Sequence, residues 1–553
     1  MLGIPRELVR RNGLTVALPN EQQASCQIWP RHNPTGAVFK MHAAPSNTPS
    51  ALEKRAPASS YFRDLLILIC IALATIVVHQ IVGNRYGFQR DELATMDDAR
   101  HLAWGYVAYP PVTPFFGRIS LALFGTSIRG LRLFANIAMA IAVVLTGLMA
   151  RDLGGRRGAQ LIAAVATVPF CLAGGQLMQY VAFDYLAWVL AAYFIVRLLK
   201  SGDPRWWVAI GAAIGFGMLS KYTMAFFAVS IAAAVVLTDA RRYLKSKWLW
   251  IGLAMSLLIF LPNFLWQVHN HFISLDMLKH IHARDIRIGR TKNFLPEQLE
   301  ITLFGSLLAL AGLYFYFFSP EGKRFRMLGW TYVVVLLLFS VGKGRSYYMG
   351  PAYPMLYAAG AAWGERWLAT MSRGKAMTVR CLAWIALAVD IVLVSAFFLP
   401  LAPLGTRWWN VAAGLQGDHK EEVGWPELVQ EVAKIRDSLS PAEREHLAIL
   451  GTNYGEAGAI NLYGPQYGLP QAISGVNSFW VRGYGNPEPQ AVIVLGLDLD
   501  YLDDHFQGCR LAGHTWNPYG IVNEETGDHP NIFVCGPPKA GWLEFWQHFR
   551  YFG

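Results

Sequence analysis

Charge is scarce in this sequence. Of its 553 residues 15% are charged, while 54% are hydrophobic and 13% aromatic. So low a charged fraction argues against a string of soluble domains and for a chain that crosses a membrane many times. Cysteine is scarce as well, and the six present form no Cys-x-x-Cys pair and no metal-ligand spacing. Acidic residues are outnumbered 37 to 48, giving a formal net charge of +11. Basic patches interleaved with aromatics are missing, so no nucleic-acid partner is expected; the basic residues lie instead in short loops between apolar runs. A basic-then-apolar secretory leader is not visible either. Residues 1–60 are polar, Pro- and Ser-containing and aperiodic. They are expected to form a disordered cytoplasmic tail, with either Met1 or Met41 as the start. No internal repeat of the transporter kind is evident.

What the chain does have is apolar runs, at about 64–83, 129–150, 158–178, 182–199, 206–220, 222–238, 248–268, 298–318, 327–342, 351–370 and 380–400. These predict about eleven transmembrane helices, most near the ~20 residues a bilayer requires. Basic residues at Arg151 to Arg157, Lys200 to Arg205, Arg241 to Lys247, Lys323 to Arg326 and Arg373 to Lys375 occupy every second connection. A cytoplasmic N-terminus therefore satisfies the positive-inside rule. On the opposite side fall Asp91-Glu92, Asp184, Lys221, the loop 269–297, the turn from Lys343 to Tyr348 and everything after about residue 401. That last region mixes helical stretches (426–436, 441–446) with short β-like runs (448–450, 491–495, 531–534). The predicted architecture is a polytopic α-helical membrane protein with a tail (1–60), a transmembrane domain (61–400) and an external α/β domain (401–553). Cys509 and Cys535, in an oxidising compartment, either pair as a disulfide or remain two buried thiols.

The external polar groups carry the candidate chemistry. Asp91 and Glu92 are adjacent carboxylates at a membrane–water boundary, where an unpaired buried charge is costly. They suit cation binding or removal of a proton from a hydroxyl, or else are ordinary solvated loop residues. Asp184 reads either as a helix N-terminal carboxylate favoured by the dipole or as a second acid facing the same cavity. Lys221, between two apolar runs, either snorkels to the interface or binds phosphate. The loop 269–297 gathers His269, His271, His280 and His282 with Lys279, Arg284, Arg287, Arg290 and Lys292. His280-Ile-His282 lacks a third ligand at zinc-like spacing. An anionic partner such as a lipid phosphate would rationalise so basic an external loop. Lys343 and Arg345 stand beside Tyr347 and Tyr348, two cations among interfacial aromatics, a setting that suits phosphate.

Several stretches occur in a telling order. The acidic pair is followed by Ala99-Arg-His-Leu-Ala-Trp-Gly-Tyr-Val-Ala-Tyr-Pro-Pro-Val-Thr-Pro114, then Ser220-Lys-Tyr-Thr and Pro262-Asn-Phe-Leu-Trp-Gln. Lys343-Gly-Arg-Ser-Tyr-Tyr-Met-Gly-Pro-Ala-Tyr-Pro and Asn453-Tyr-Gly-Glu-Ala-Gly-Ala-Ile-Asn-Leu-Tyr-Gly come after. In these the chain resembles the dolichyl-phosphate-mannose-protein mannosyltransferase-like and aminoarabinose transferase-like glycosyltransferases of the GT-C superfamily, over about 61–553. The resemblance implies inverting transfer of a sugar from a polyprenyl-phosphate donor to a lipid, glycan or protein acceptor, outside the cytoplasm at a bacterial inner membrane. Under it Asp91 would be the general base, with Glu92 positioning it or sharing a divalent cation (Mg or Mn) with it, and Asp184 a second acid. Lys221, Lys343, Arg345 and Tyr347 would hold the donor phosphate. Trp104, Tyr109, His280, His282, Tyr454 and Glu456 would lie toward the acceptor and the interface. Trp408-Trp409 is followed by Asn410, so the Trp-Trp-Asp motif of the oligosaccharyltransferase branch is absent. Two other classes stay open. A lipid or small-molecule transporter or flippase would put charges near helix midpoints and repeat its halves. A non-catalytic scaffold would leave Asp91-Glu92 unexplained.

Overall fold

The computed structural model describes residues 58–553, so the tail expected over 1–60 lies almost wholly outside the described residues. Apolar runs of bilayer length have no water to satisfy their backbone and close their own hydrogen bonds as helices. The first is α1 (Ala58–Val82). Two shorter helices follow, α2 (Arg90–Arg100) and α3 (Val112–Phe124). The helix α2 starts at the acidic pair because Gln89 and Glu92 form a capping box. The Asp91 N–H donates to Gln89 Oε1 at 2.7 Å, and the Gln89 N–H donates to Glu92 Oε2 at 3.0 Å. The well-buried centre is made by α4 (Ile128–Asp152), α5 (Arg157–Gly175) and α6 (Tyr180–Ser201). Then come α7 (Trp206–Met218), α8 (Met224–Leu237), α9 (Lys247–His269), α10 (Ile273–Arg287), α11 (Phe294–Thr302), α12 (Gly305–Phe318), α13 (Arg326–Val341), α14 (Tyr353–Ala369) and α15 (Arg373–Phe398).

Among the described residues seven helices are long and apolar enough to cross a membrane, or nine if each of two sharply bent pairs is one span. Each of the eleven predicted runs is helical, but eleven spans are not confirmed. The runs at 206–220 and 351–370 fold as helices of 13 and 17 residues. Those at 222–238 and 298–318 belong to pairs bent by 102° and 108°. In the second pair the break falls at Leu303, whose φ of 45° takes it out of the helix. The predicted loop 269–297 is also corrected, since most of it is α10 and the start of α11. Apolar residues at Ile273, Met277 and Ile281 recur every four positions there, between the charged residues that mask the period.

Beyond α15 the chain forms α16 (Arg407–Leu415), α17 (Trp425–Ser438), α18 (Pro441–Glu445), β1 (Leu447–Leu450), α19 (Tyr454–Tyr463), β2 (Ala472–Ile473), β3 (Ala491–Leu495), β4 (Arg510–His514) and β5 (Asn531–Cys535). The sheet order is β2-β1-β3-β5-β4, with β1 parallel to β2 and β3, and β5 antiparallel to β3 and β4. Both faces are covered, which is why β3 reads as unbroken Ala-Val-Ile-Val-Leu. Ile449, Ile493 and Val534 pack with Val432 and Ile460 of α17 and α19, while Val492, Val494 and Phe533 pack with Phe506, Trp542 and Phe545. Cys509 and Cys535 are joined as a disulfide. This region meets the membrane part along α2 and α19. A Cβ on Gly458 would stand 2.8 Å from Leu93, so the two helices touch because that residue has no side chain.

One buried ionic cluster fixes the start of α2. Arg132, 2% exposed, donates from Nε to Glu92 Oε1 at 2.8 Å and from Nη2 to Glu92 Oε2 at 2.6 Å. The same Nη2 reaches Glu422 Oε2 at 3.1 Å, and Glu422 Oε1 faces His419 Nδ1 at 3.2 Å. Removing one partner strands the others in a dry interior. Arg132→Met is expected to destabilise the protein by about 3–5 kcal/mol, read as a lower midpoint of thermal unfolding in detergent.

Candidate active site

A cavity of ≈ 1130 Å³ lies between the membrane helices and the C-terminal region. From α2 it is lined by Gln89 just ahead of the helix and by Arg90, Asp91, Ala94 and Asp98, one face at i, i+3 or i+4, and i+7. The capping box starts α2 where it does, so Asp91 sits in the first turn and faces the cavity. Its Oδ2 accepts from Gln179 Nε2 at 2.8 Å, and the Tyr454 hydroxyl stands beside it. Burial raises the Asp91 pKa above the ordinary carboxylate value, against the opposing pull of Tyr454 and Arg90. Arg90 is itself held by Glu421 at 3.1 Å and Glu524 at 2.8 Å. With Asp418 these acids make one side of the cavity markedly carboxylate-rich. Burial pushes Asp418 up to about 6 and Glu421 up to about 8, with the charge on Asp91 adding to both shifts.

Cations line the other side. Lys221, in the turn between α7 and α8, lies over the rings of Tyr348, Tyr180 and Tyr347 at 4.1, 5.0 and 5.1 Å. Lys343, with φ 48°, and Arg345 come from the connection between α13 and α14. Arg345 is gripped by Asp285 of α10, Nε to Oδ2 at 2.5 Å and Nη2 to Oδ1 at 3.0 Å, and its Nη1 donates to the Tyr347 hydroxyl at 3.3 Å. Tyr109, His282 and Tyr454 also line the cavity.

Other predicted residues lie elsewhere. Glu92 is fully buried on the far side of α2, and its oxygens are taken by Arg132 and by the N–H groups of Gln89 and Met178. Asp184, 4% exposed, is not at an amide-lined helix N-terminus and does not reach the cavity. It accepts from Trp188 Nε1 at 3.0 Å and Thr223 Oγ1 at 2.9 Å, and so steadies the turn that carries Lys221. Glu456 caps α19, accepting from the N–H groups of Thr452 and Asn453 at 2.8 and 3.1 Å, and burial raises its pKa to about 8. Trp104 is 61% exposed, and its carbonyl accepts from Asn263. His280 is exposed and lies against Phe552, while the Tyr347 ring packs beside Lys221 without lining the cavity.

The divalent cation expected on Asp91 and Glu92 does not fit these residues. The two carboxylates diverge, those of Glu92 are already saturated, and no three His, Cys, Asp or Glu side chains converge among the described residues.

Not foreseen from sequence is a second charged cluster. Arg482 of the C-terminal region forms ion pairs with both Asp97 and Asp98 of α2. The Tyr109 hydroxyl donates to Asp98 at 2.6 Å and Asn461 Nδ2 to Asp97 at 2.8 Å. Burial lifts Asp98 to about 6, with the Arg482 charge pulling the other way. Asp98 falls seven residues after Asp91, a helical repeat visible in the sequence; Arg482 has no local signal.

With this geometry in hand, the chain's relatives can be placed. The family described as dolichyl-phosphate-mannose-protein mannosyltransferase matches residues 108–266, a segment that contains Tyr109, Asp184 and Lys221. Three proteins of Rhizobium johnstonii are similar. The lipopolysaccharide core galacturonosyltransferase RgtB is 27% identical over 219 residues, 38% of this chain and 43% of that protein. The lipopolysaccharide core galacturonosyltransferase RgtA is 27% identical over 259 residues, 44% and 50%. The lipid A galacturonosyltransferase RgtD is 25% identical over 267 residues, 44% and 54%. The chain thus spans about half the length of these relatives. ArnT from Cupriavidus metallidurans, in a crystal structure bound to undecaprenyl phosphate, shares the fold with a TM-score of 0.55 at 15% identity, over 86% of this chain and 98% of that one. Its apo structure gives 0.53 at 15% identity, over 87% and 98%. The chain is a polytopic membrane protein of the GT-C fold, and it resembles the dolichyl-phosphate-mannose-protein mannosyltransferase-like and aminoarabinose transferase-like glycosyltransferases.

Proposed function

We propose that this protein moves a sugar from a polyprenyl-phosphate-linked donor to an acceptor hydroxyl on the periplasmic face of a bacterial inner membrane. The observation that carries this reading is that Asp91 and three cations, Lys221, Lys343 and Arg345, line one cavity beside the membrane helices. The family match and the transferase names of its relatives support the reaction class, and the undecaprenyl phosphate held by ArnT supports the donor class.

In the proposed reaction the acceptor oxygen attacks the anomeric carbon, and its proton passes to the Asp91 carboxylate. The bond from the anomeric carbon to the phosphate oxygen breaks, and the electron pair leaves with the lipid phosphate. Lys221 and Lys343 stabilise that charge as it develops. A single in-line displacement inverts the anomeric centre and needs no sugar–enzyme intermediate. The membrane part, proposed as a domain over 61–400, provides the cations and would hold the isoprenoid tail. The segment 401–553, proposed as the external domain, completes the carboxylate side and faces a lipid, glycan or protein acceptor. The basic residues in every second connection and the disulfide of the C-terminal region support this orientation.

Three outcomes are expected. Asp91→Asn in purified protein lowers turnover of radiolabelled polyprenyl-phosphate sugars by about a hundredfold or more, with envelope extract as acceptor; normal turnover would remove Asp91 as the base. Because Asp91 must be ionised and burial raises its pKa, the acid limb of kcat/KM lies above the ordinary carboxylate value of about 4, and activity falls as pH drops through it. Lys221→Met lowers kcat as well as raising the KM for donor, as measured with the same labelled donors, because the charge it meets grows in the transition state.

A further inference from the structure

We infer that Tyr180, Tyr347 and Tyr348 are positioning residues, a cage that aims the Lys221 ammonium at the donor phosphate without neutralising it. The inference rests on the transferase reading above. The cage is assembled from three separate stretches: Tyr180 opens α6, Lys221 sits in the turn between α7 and α8, and Tyr347 and Tyr348 lie in the connection between α13 and α14. The nitrogen stands 4.1 to 5.1 Å from all three ring centroids, within cation–π range. The two neighbouring rings meet nearly edge to face, 4.9 Å apart at 75°, so their faces turn toward a common point.

The two sorts of cation in the cavity explain what the cage is for. Arg345 is gripped by both oxygens of Asp285 and has little net charge left to offer an anion. Lys221 pairs with no carboxylate among the described residues, and the nearby acid Asp184 is occupied by Trp188 and Thr223. A carboxylate partner would hold the lysine in place but would also repel an incoming phosphate. Ring faces hold it through their quadrupole while carrying no net charge, so the ammonium keeps its full attraction and its hydrogens. The Arg345–Asp285 pair is coupled to the cage through the Tyr347 hydroxyl, which accepts from Arg345.

Equilibrium binding of undecaprenyl phosphate to the purified full-length protein in detergent, followed by tryptophan fluorescence, tests this without requiring the sugar to be known. Tyr348→Leu is expected to weaken binding about three- to tenfold, whereas Tyr348→Phe, which keeps the ring face, changes it by less than about twofold. In a Lys221→Met background Tyr348→Leu should cost nothing further, because the interaction it served is gone. Equal losses from Leu and Phe, or losses that add to that of Lys221→Met, would overturn the cage. Should Tyr348→Leu fail to fold, Tyr180→Leu against Tyr180→Phe makes the same comparison. If the wild-type protein binds no undecaprenyl phosphate, the transferase reading itself falls, and the cage with it.

Discussion

A guanidinium carried into a protein interior has to be met by carboxylates, or its lost hydration goes uncompensated. Arg132 is such a group. From the first turns of α4 it holds Glu92 at the head of α2 and Glu422 ahead of α17, and it also donates to the carbonyls of Gly83 and Gly87. Three stretches of chain, the last some 290 residues away, are pinned to one point. Consecutive side chains on a helix leave its axis about 100° apart, so anchoring Glu92 inward turns Asp91 toward the cavity. The acidic pair therefore divides its labour: one carboxylate holds the helix and its neighbour faces the ligand space.

The same division runs through the cations. Arg90, Arg345 and Arg482 each bind carboxylates, and each ties distant segments together: α2 to the C-terminal region twice, and α10 to the connection after α13. Their charges are largely spent inside the protein. Lys221 and Lys343 carry no such pairing among the described residues, so theirs is the field a ligand would meet. Opposite them, acids crowd together until burial and mutual repulsion lift Asp418 and Glu421 well above ordinary carboxylates. A cavity polarised in this way orients a molecule with an anionic end before any specific contact forms.

Much of the fold was legible because it follows from periodicity: the apolar runs became helices, and 491–495 became a strand buried on both faces. The count of eleven spans is not confirmed because the runs at 206–220 and 351–370 fold as short helices and two others are bent, one of them at Leu303. Asp91, Tyr109, Lys221, Lys343 and Arg345 were visible as polar residues at helix mouths, and they do share a cavity. Of the two roles expected of Glu92, positioning Asp91 agrees with its grip on Arg132, while sharing a cation does not, because a helix sends neighbours in different directions. The place of Asp184, beneath the turn of Lys221, was not legible because its hydrogen-bond partner Thr223 lies 39 residues on. Arg482 gave no sign at all, since its meaning depends on two aspartates more than 380 residues earlier.

The cavity is built from two lengths of chain. Lys221 and Lys343 come from the helices before residue 401, while Asp418, Glu421 and Tyr454 come after it. Exchange of the segment after that boundary would replace Asp418, Glu421 and Tyr454 and leave Asp91 and the cations untouched, provided carboxylates still met Arg132 and Arg90 and a cation still met Asp97 and Asp98. The architecture thus lets the C-terminal segment vary as a module that faces a fixed Asp91 and fixed cations. It can diversify to suit new molecules while they are retained, with the ion pairs of Arg90, Arg132 and Arg482 as the socket into which each new version must fit.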